Sequence, residues 1–340
     1  MSVLNDIVAL RERVAKEIIG QNEIIDRLLM GLLCNGNILV EGMPGLAKTR
    51  AIKALSKNIE GSFKRIQFTP DLVSTDITGK EIYYDSETGG QGTFKFIPGS
   101  IFANIVLADE INRAPAKTQN SLLEAMEERQ VTVAGVSHKM ADLFLVMATQ
   151  NPVEQEGTFP LPEAQKDRFL MHVSVGYPDE ASELEVVRLI RKEETQEQKA
   201  KKKAIEKAGG IDPDQIKTSQ ETIFAARAEI DKIHVPPHIE KYMVDLIFAT
   251  RYPQRYTMEL RTFILVGSSP RATIALDRTS RCLAWLKGRD TVDISDVHAM
   301  IKSCLRHRMI RGDRAVDHRI TTDDIVEEIL ELVPMPETVV

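Results

Sequence analysis

The chain is poor in aromatic residues and in cysteine, it has no long apolar run, and it carries no excess of positive charge. Each shortage removes a class of protein. Aromatics are 5% of 340 residues, so Leu, Ile, Val and Ala must do most of the packing. Three cysteines, Cys34, Cys282 and Cys304, are too sparse and too widely spaced for a disulfide framework or a CxxC metal pattern. They suit a reducing compartment, and a cytoplasmic location is expected. The formal net charge is −6, whereas nucleic-acid-binding domains are usually strongly basic; nucleic acid is not an expected partner. The first residues, MSVLNDIVALRERVAKEI, are charged throughout and lack the apolar centre of a signal peptide. No run of about 18 uncharged apolar residues occurs, so no membrane span is expected.

What is present is enough apolar chain, 43% of the total, for one large domain and a smaller one. Residues 1–33 read as two helices: Ile7, Leu10, Val14 and Ile18 recur at helical spacing, as do Ile24, Ile25, Leu28, Leu29 and Leu32. From there to about residue 175, short apolar runs at 38–41, 63–68, 105–108, 143–149 and 170–175 alternate with helical stretches such as 49–58 and 115–129. Runs that are apolar at nearly every position suit strands buried on both faces of a parallel sheet. The alternation predicts an α/β fold with helices on both faces of a five-stranded sheet. Residues 80–98 instead alternate polar with apolar around a Gly-rich centre, residues 129–140 do so around Ala134-Gly135, and both read as inserted β-hairpins. After residue 178 the pattern becomes helical, with helices expected near 218–233, 237–251, 270–287, 295–307 and 322–333 and no strand signal. The charged stretch 192–215, with lysines at 199 and 201–203, reads as an insertion. The expected layout is a core over 1–178 and a helical lid over 179–340.

The most specific chemical signal is Gly42-Met43-Pro44-Gly45-Leu46-Ala47-Lys48-Thr49, between a strand and a helix. Backbone N–H groups of such a loop point at phosphate oxygens, and the helix N-terminus adds partial positive charge. Lys48 is expected to reach the β- and γ-phosphates, and Thr49 to hold Mg²⁺ through its hydroxyl. Ala47 stands where Gly usually precedes the lysine, so that position does not need a positive φ. An apolar strand then ends in Asp109-Glu110. Asp109 suits a place in the Mg²⁺ shell, and Glu110 suits orienting and polarising an attacking water. Asn151 closes the next strand, where doubly wound sheets bind ligands; taken alone it also reads as a turn-former before Pro152. Arg168 precedes the last strand and suits contact with a neighbouring subunit's γ-phosphate, or a surface pair with Asp167. Arg271 opens a lid helix after Ser269-Pro270, where it either contacts phosphate or lies on the helix face.

Together these segments occur in the order of a AAA+ P-loop NTPase, and from about Ile18 onward they resemble the MoxR family. Val40-Glu-Gly-Met-Pro-Gly-Leu-Ala-Lys-Thr49 is similar to its phosphate loop. Ala108-Asp-Glu-Ile-Asn-Arg-Ala-Pro-Ala-Lys-Thr-Gln119 and Leu122-Leu-Glu-Ala-Met-Glu-Glu128 are similar to its Walker B segment. Ala148-Thr-Gln-Asn-Pro152, Leu161-Pro-Glu-Ala-Gln-Lys-Asp-Arg-Phe169 and Ser269-Pro-Arg-Ala272 are similar to its sensor 1, arginine-finger and sensor 2 segments. The resemblance implies an αβα sandwich with two inserted hairpins and a C-terminal helical lid. It also implies ATP and Mg²⁺ as cofactors and a ring, expected to be a hexamer. Chaperone-like remodelling or metal loading of a client follows, together with a von Willebrand factor A domain partner. It places Ile19 and Gly20 against adenine and makes Gly42 to Arg50 with Asp109 the nucleotide-contacting set. Two other functions remain open at this point: a nucleic-acid motor of the same ATPase class, which DNA would stimulate, and a low-turnover nucleotide switch, which a turnover assay would reveal.

Overall fold

A computed structural model describes residues 2–43, 46, 48–85, 93–152, 157–191 and 217–336. The strands are β1 (Ile38–Gly42), β2 (Phe63–Gln67), β3 (Gly79–Tyr84), β4 (Thr93–Pro98), β5 (Ile105–Asp109), β6 (Gln130–Val133), β7 (Val136–Lys139), β8 (Leu145–Gln150), β9 (Met171–Val175), β10 (Ile264–Val266) and β11 (Ile310–Arg311). The helices of the core are α1 (Val3–Ala15), α2 (Asn22–Leu33), α3 (Lys48–Lys57), α4 (Ser74–Thr78), α5 (Ala116–Glu128) and α6 (Glu163–Lys166). A further helix, α7, covers 180–191. The lid carries α8 (Gln220–Ile230), α9 (Pro237–Arg251), α10 (Met258–Phe263), α11 (Pro270–Leu286), α12 (Ile294–Leu305), α13 (Asp313–Asp317) and α14 (Thr322–Leu332).

The five expected strands form one parallel sheet in the order β2-β5-β8-β1-β9. Successive residues point to opposite faces, and each face is covered. Ile38, Val40, Leu107 and Met147 join a cluster with α1, α2, α3 and the lid, while Leu39, Val106, Ala108 and Val146 join a second cluster with α5. Since all five strands run the same way, their C-terminal ends share one edge. Gly42, Asp109 and Gln150 end their strands there.

Both expected hairpins form, as β3–β4 and β6–β7. They lean on each other through Phe96, whose ring stacks on His138 with centroids 3.7 Å apart. The Gly-rich tip of the first hairpin, 86–92, lies outside the described residues, as does the charged stretch 192–215.

The lid is not wholly helical. Ile264–Val266 pairs antiparallel with Ile310–Arg311. Three consecutive apolar residues carry no period, so tertiary pairing, and not local pattern, makes this strand. The cluster on the α1–α3 side runs on without a break into the lid helices. The first two helices therefore pack on the lid as well as on the sheet, and Arg13 of α1 donates to the Thr218 hydroxyl at 2.7 Å.

Candidate functional site

At the C-terminal edge of the sheet, Lys48 opens α3 and turns its ammonium back across the strand ends. Its Nζ donates to the carbonyl oxygens of Gly42 at 2.5 Å and Gln150 at 3.2 Å. It thus bridges the end of β1 to the end of β8. Gly42 is required by crowding, because a Cβ there would lie 2.7 Å from the carbonyl oxygen of Val175. Thr49 and Arg50 follow on α3, half-buried, and Arg50 donates through Nε to the carbonyl of Glu17 at 2.6 Å. Met43 is half-buried and Leu46 is buried. Pro44, Gly45 and Ala47 lie outside the described residues.

Asp109 is 7% exposed. One of its oxygens accepts the Thr149 hydroxyl at 2.6 Å, and the other accepts Arg65 at 2.6 Å. The same Thr149 oxygen accepts the backbone N–H of Glu110 at 2.9 Å. One buried hydroxyl on β8 thereby fixes both acids at the end of β5. Glu110 has φ 56° and ψ 50°, the left-handed region that a non-glycine residue adopts at a cost of order 1 kcal/mol. That bend turns its carboxylate off the strand line, where Gln67 donates to it at 2.8 Å and Arg113 at 3.0 Å. Asn151 is buried and directly follows Gln150 at the end of β8. Ile19, Gly20 and Gln21 border the same edge. Gly20 has φ +73° and a Cβ there would strike Ser182, while Gln21 donates to the carbonyl of Gly176 at 3.1 Å.

Arg168 and Arg271 lie elsewhere. They meet on one carboxylate, Glu127: Arg168 Nε is 3.0 Å from one oxygen, and Arg271 pairs with the other. Arg168 therefore pairs with Glu127 and not with Asp167, the surface pair that the sequence left open. Asp167 instead accepts the Ser269 hydroxyl at 2.8 Å and the buried Arg308 at 2.9 Å, with Arg271 at 3.5 Å. Glu127, Asp167, Arg168, Arg271 and Arg308 line a cavity of about 370 Å³ together with Asn35, Asn37 and Leu170, residues that precede β1 and β9. The two arginines thus belong to the N-terminal edge of the sheet. Five residues of β1 span roughly 13 Å between the two edges. Five arginines line that cavity, Arg129, Arg278 and Arg308 with the two named, against two carboxylates. This surplus suits an anionic guest.

Four residues that the sequence did not single out complete the arrangement: Arg65 and Gln67 on β2, Thr149 on β8 and Glu127 on α5. Arg65 and Gln67 sit two apart on a strand whose Gln67 pairs in register with Asp109. Two polar residues on one face of an otherwise apolar sheet were the available signal. Glu127 lies in the segment Leu122–Glu128 that carries the resemblance, but nothing local sets it apart from the other acids of α5.

Comparison with known proteins shows the family and the fold. Residues 37–171 match the ATPase family associated with various cellular activities (AAA), and residues 259–329 match the AAA lid domain. Chaperone MoxR1 of Mycobacterium tuberculosis is 40% identical over 327 residues, 95% of this chain and 81% of that protein. The protein YeaC of Bacillus subtilis is 41% identical over 96% of this chain and 93% of its own. A crystal structure from Cytophaga hutchinsonii, 40% identical, superposes with a TM-score of 0.84 over 98% of this chain and 96% of that one. Relatives of this identity and coverage, together with the matching ATPase and lid models, lead to one assignment: the chain belongs to the MoxR family of AAA ATPases, enzymes that hydrolyse ATP.

Proposed function

We propose that this chain hydrolyses MgATP at the edge around Lys48 when a second copy presents Arg168 and Arg271 to the γ-phosphate, and that the cycle drives chaperone-type remodelling of a client protein. The observation that carries this reading is the separation of the two halves of the site onto opposite edges of one sheet. Two unlike edges that complement each other make a head-to-tail contact, and repeated contacts of that kind close into a ring. A hexamer is the expected closure. The relative named Chaperone MoxR1 supports the remodelling role. A partner with a von Willebrand factor A domain is part of the same proposal.

The chain's own residues have these parts. Lys48 exchanges a carbonyl for phosphate oxygen. Thr49 and Asp109 offer hydroxyl and carboxylate oxygens, hard donors that fit Mg²⁺. The ion, when bound, neutralises charge on the β- and γ-oxygens. Glu110, steered by Gln67 and Arg113, orients water for in-line attack together with Asn151. The neighbour's arginines stabilise the charge that spreads over the γ-oxygens, an effect worth about 10³–10⁵ in rate for in-trans arginines. The exposed aromatic residues of the first hairpin, Tyr83, Tyr84 and Phe94, suit the gripping of a client.

The test is specific activity against protein concentration, with assembly state followed by sedimentation. Turnover per subunit should rise steeply as the chain assembles. A rate per subunit that stays constant from dilute monomer to concentrated oligomer would refute an in-trans site.

A further inference from the structure

Two thiols far apart in the chain meet where the core touches the lid. Cys34 caps the end of α2, and its Sγ donates to the carbonyl oxygen of Arg278 in α11 at 3.4 Å. In a helix that carbonyl takes the amide of the residue four positions on, which is Cys282. The sulfur of Cys34 therefore rests against the turn that carries Cys282. The nearness of Cys34, with full burial, raises the Cys282 thiol well above the usual thiol range. Cys34 lines a cavity of about 240 Å³ whose wall includes Arg227, Arg278 and Arg281, so a small oxidant has a route to it. Cys282 is fully buried behind it. Cys304 is also fully buried, and its sulfur lies 3.4 Å from the Thr279 hydroxyl.

We propose that Cys34 and Cys282 are an oxidation-sensitive pair whose reversible disulfide fastens the lid to the core. Hydrogen peroxide is the oxidant. The Cys34 sulfur attacks one peroxide oxygen, the O–O bond breaks, and a sulfenic acid and water result. The Cys282 sulfur then attacks the Cys34 sulfur, a second water leaves, and the S–S bond forms. In sum, two thiols and one peroxide give one disulfide and two waters. Cys34 lines the cavity while Cys282 is fully buried, so peroxide meets Cys34 first. The bond would join α2, which leads into β1 and the phosphate loop, to α11, whose first turn carries Arg271. An enzyme that must shift its lid during each cycle would then stall, with nucleotide binding intact.

The full chain is treated with equimolar hydrogen peroxide, remaining thiols are alkylated, and peptides are mapped by mass. The expected result is a Cys34–Cys282 cross-link with Cys304 still alkylated. ATP turnover should fall about tenfold, as for an enzyme limited by lid motion, and a dithiol reductant should restore it. Cys34→Ser should keep its turnover in peroxide, and Cys304→Ser should respond as the unaltered chain does. The proposal is overturned if Cys34 and Cys282 both stay alkylatable, if Cys34 ends as a sulfinic acid without a cross-link, or if the cross-link leaves turnover unchanged. It is equally overturned if Cys34→Ser is inactivated as readily as the unaltered chain.

Discussion

At the scale of single residues, the account turns on how a buried hydroxyl and a bent backbone aim two acids. Glu110→Gln removes the carboxylate proposed to polarise water while keeping its shape. It should retain ATP binding and lose turnover by at least about 10²-fold, the usual weight of a general base; a filter-binding assay beside a phosphate-release assay separates the two. Thr149→Val removes the bond that holds Asp109 and the Glu110 amide together. It leaves a buried carboxylate oxygen without that donor, which costs about 1–3 kcal/mol, and turnover should fall more than nucleotide affinity does. The places of Lys48 at the start of α3 and of Asp109 at the end of β5 were legible in the sequence because an apolar run and the break after it are local signals. Thr149, Arg65, Gln67 and Glu127 were not, because parallel strand register and a helix from another part of the chain bring them in.

At the scale of elements, the seam between β9 and α12 decides how the lid is held. Arg308, whose side chain is 2% exposed, donates to Asp167 and to the carbonyls of Phe169 and Leu170 at the start of β9. Arg308→Ala should destabilise the fold by about 3 kcal/mol, since it strands buried acceptors and a carboxylate; denaturant unfolding measures it. Its neighbour His307 bonds the carbonyl of Phe169 at 3.1 Å. Burial above all, with Arg308 and His172 close by, holds it well below its ordinary value of 6.5. Its folded form stays neutral as pH drops, while the unfolded chain takes up a proton from 6.5 downward. Stability tied to His307 is thus complete above that value and is lost progressively below it, by up to about 1.4 kcal/mol per pH unit. The loss of thermal stability between pH 7.5 and 5.5 should be smaller in His307→Gln than in the unaltered chain. The lid helices were legible from their period. The three-residue strand β10 and this polar seam were not, because neither repeats.

At the scale of the whole molecule, the proposed site is divided between opposite edges of the sheet, and Glu127 joins Arg168 to the lid's Arg271 as one unit. Any movement of the lid is therefore felt at the edge offered to the neighbour. Glu127→Gln should loosen both arginines and reduce turnover without changing ATP binding to the edge around Lys48. The most direct check of the in-trans account mixes two inactive proteins, Glu110→Gln and Arg168→Ala, in equal amounts under conditions that allow subunits to exchange. Where an Arg168→Ala subunit binds ATP and a Glu110→Gln subunit supplies the arginine, the site is complete. Random head-to-tail assembly makes about one site in four of this kind, so the mixture should regain about a quarter of the unaltered turnover. A mixture as inactive as its two components, or full turnover by Arg168→Ala alone, would contradict the account.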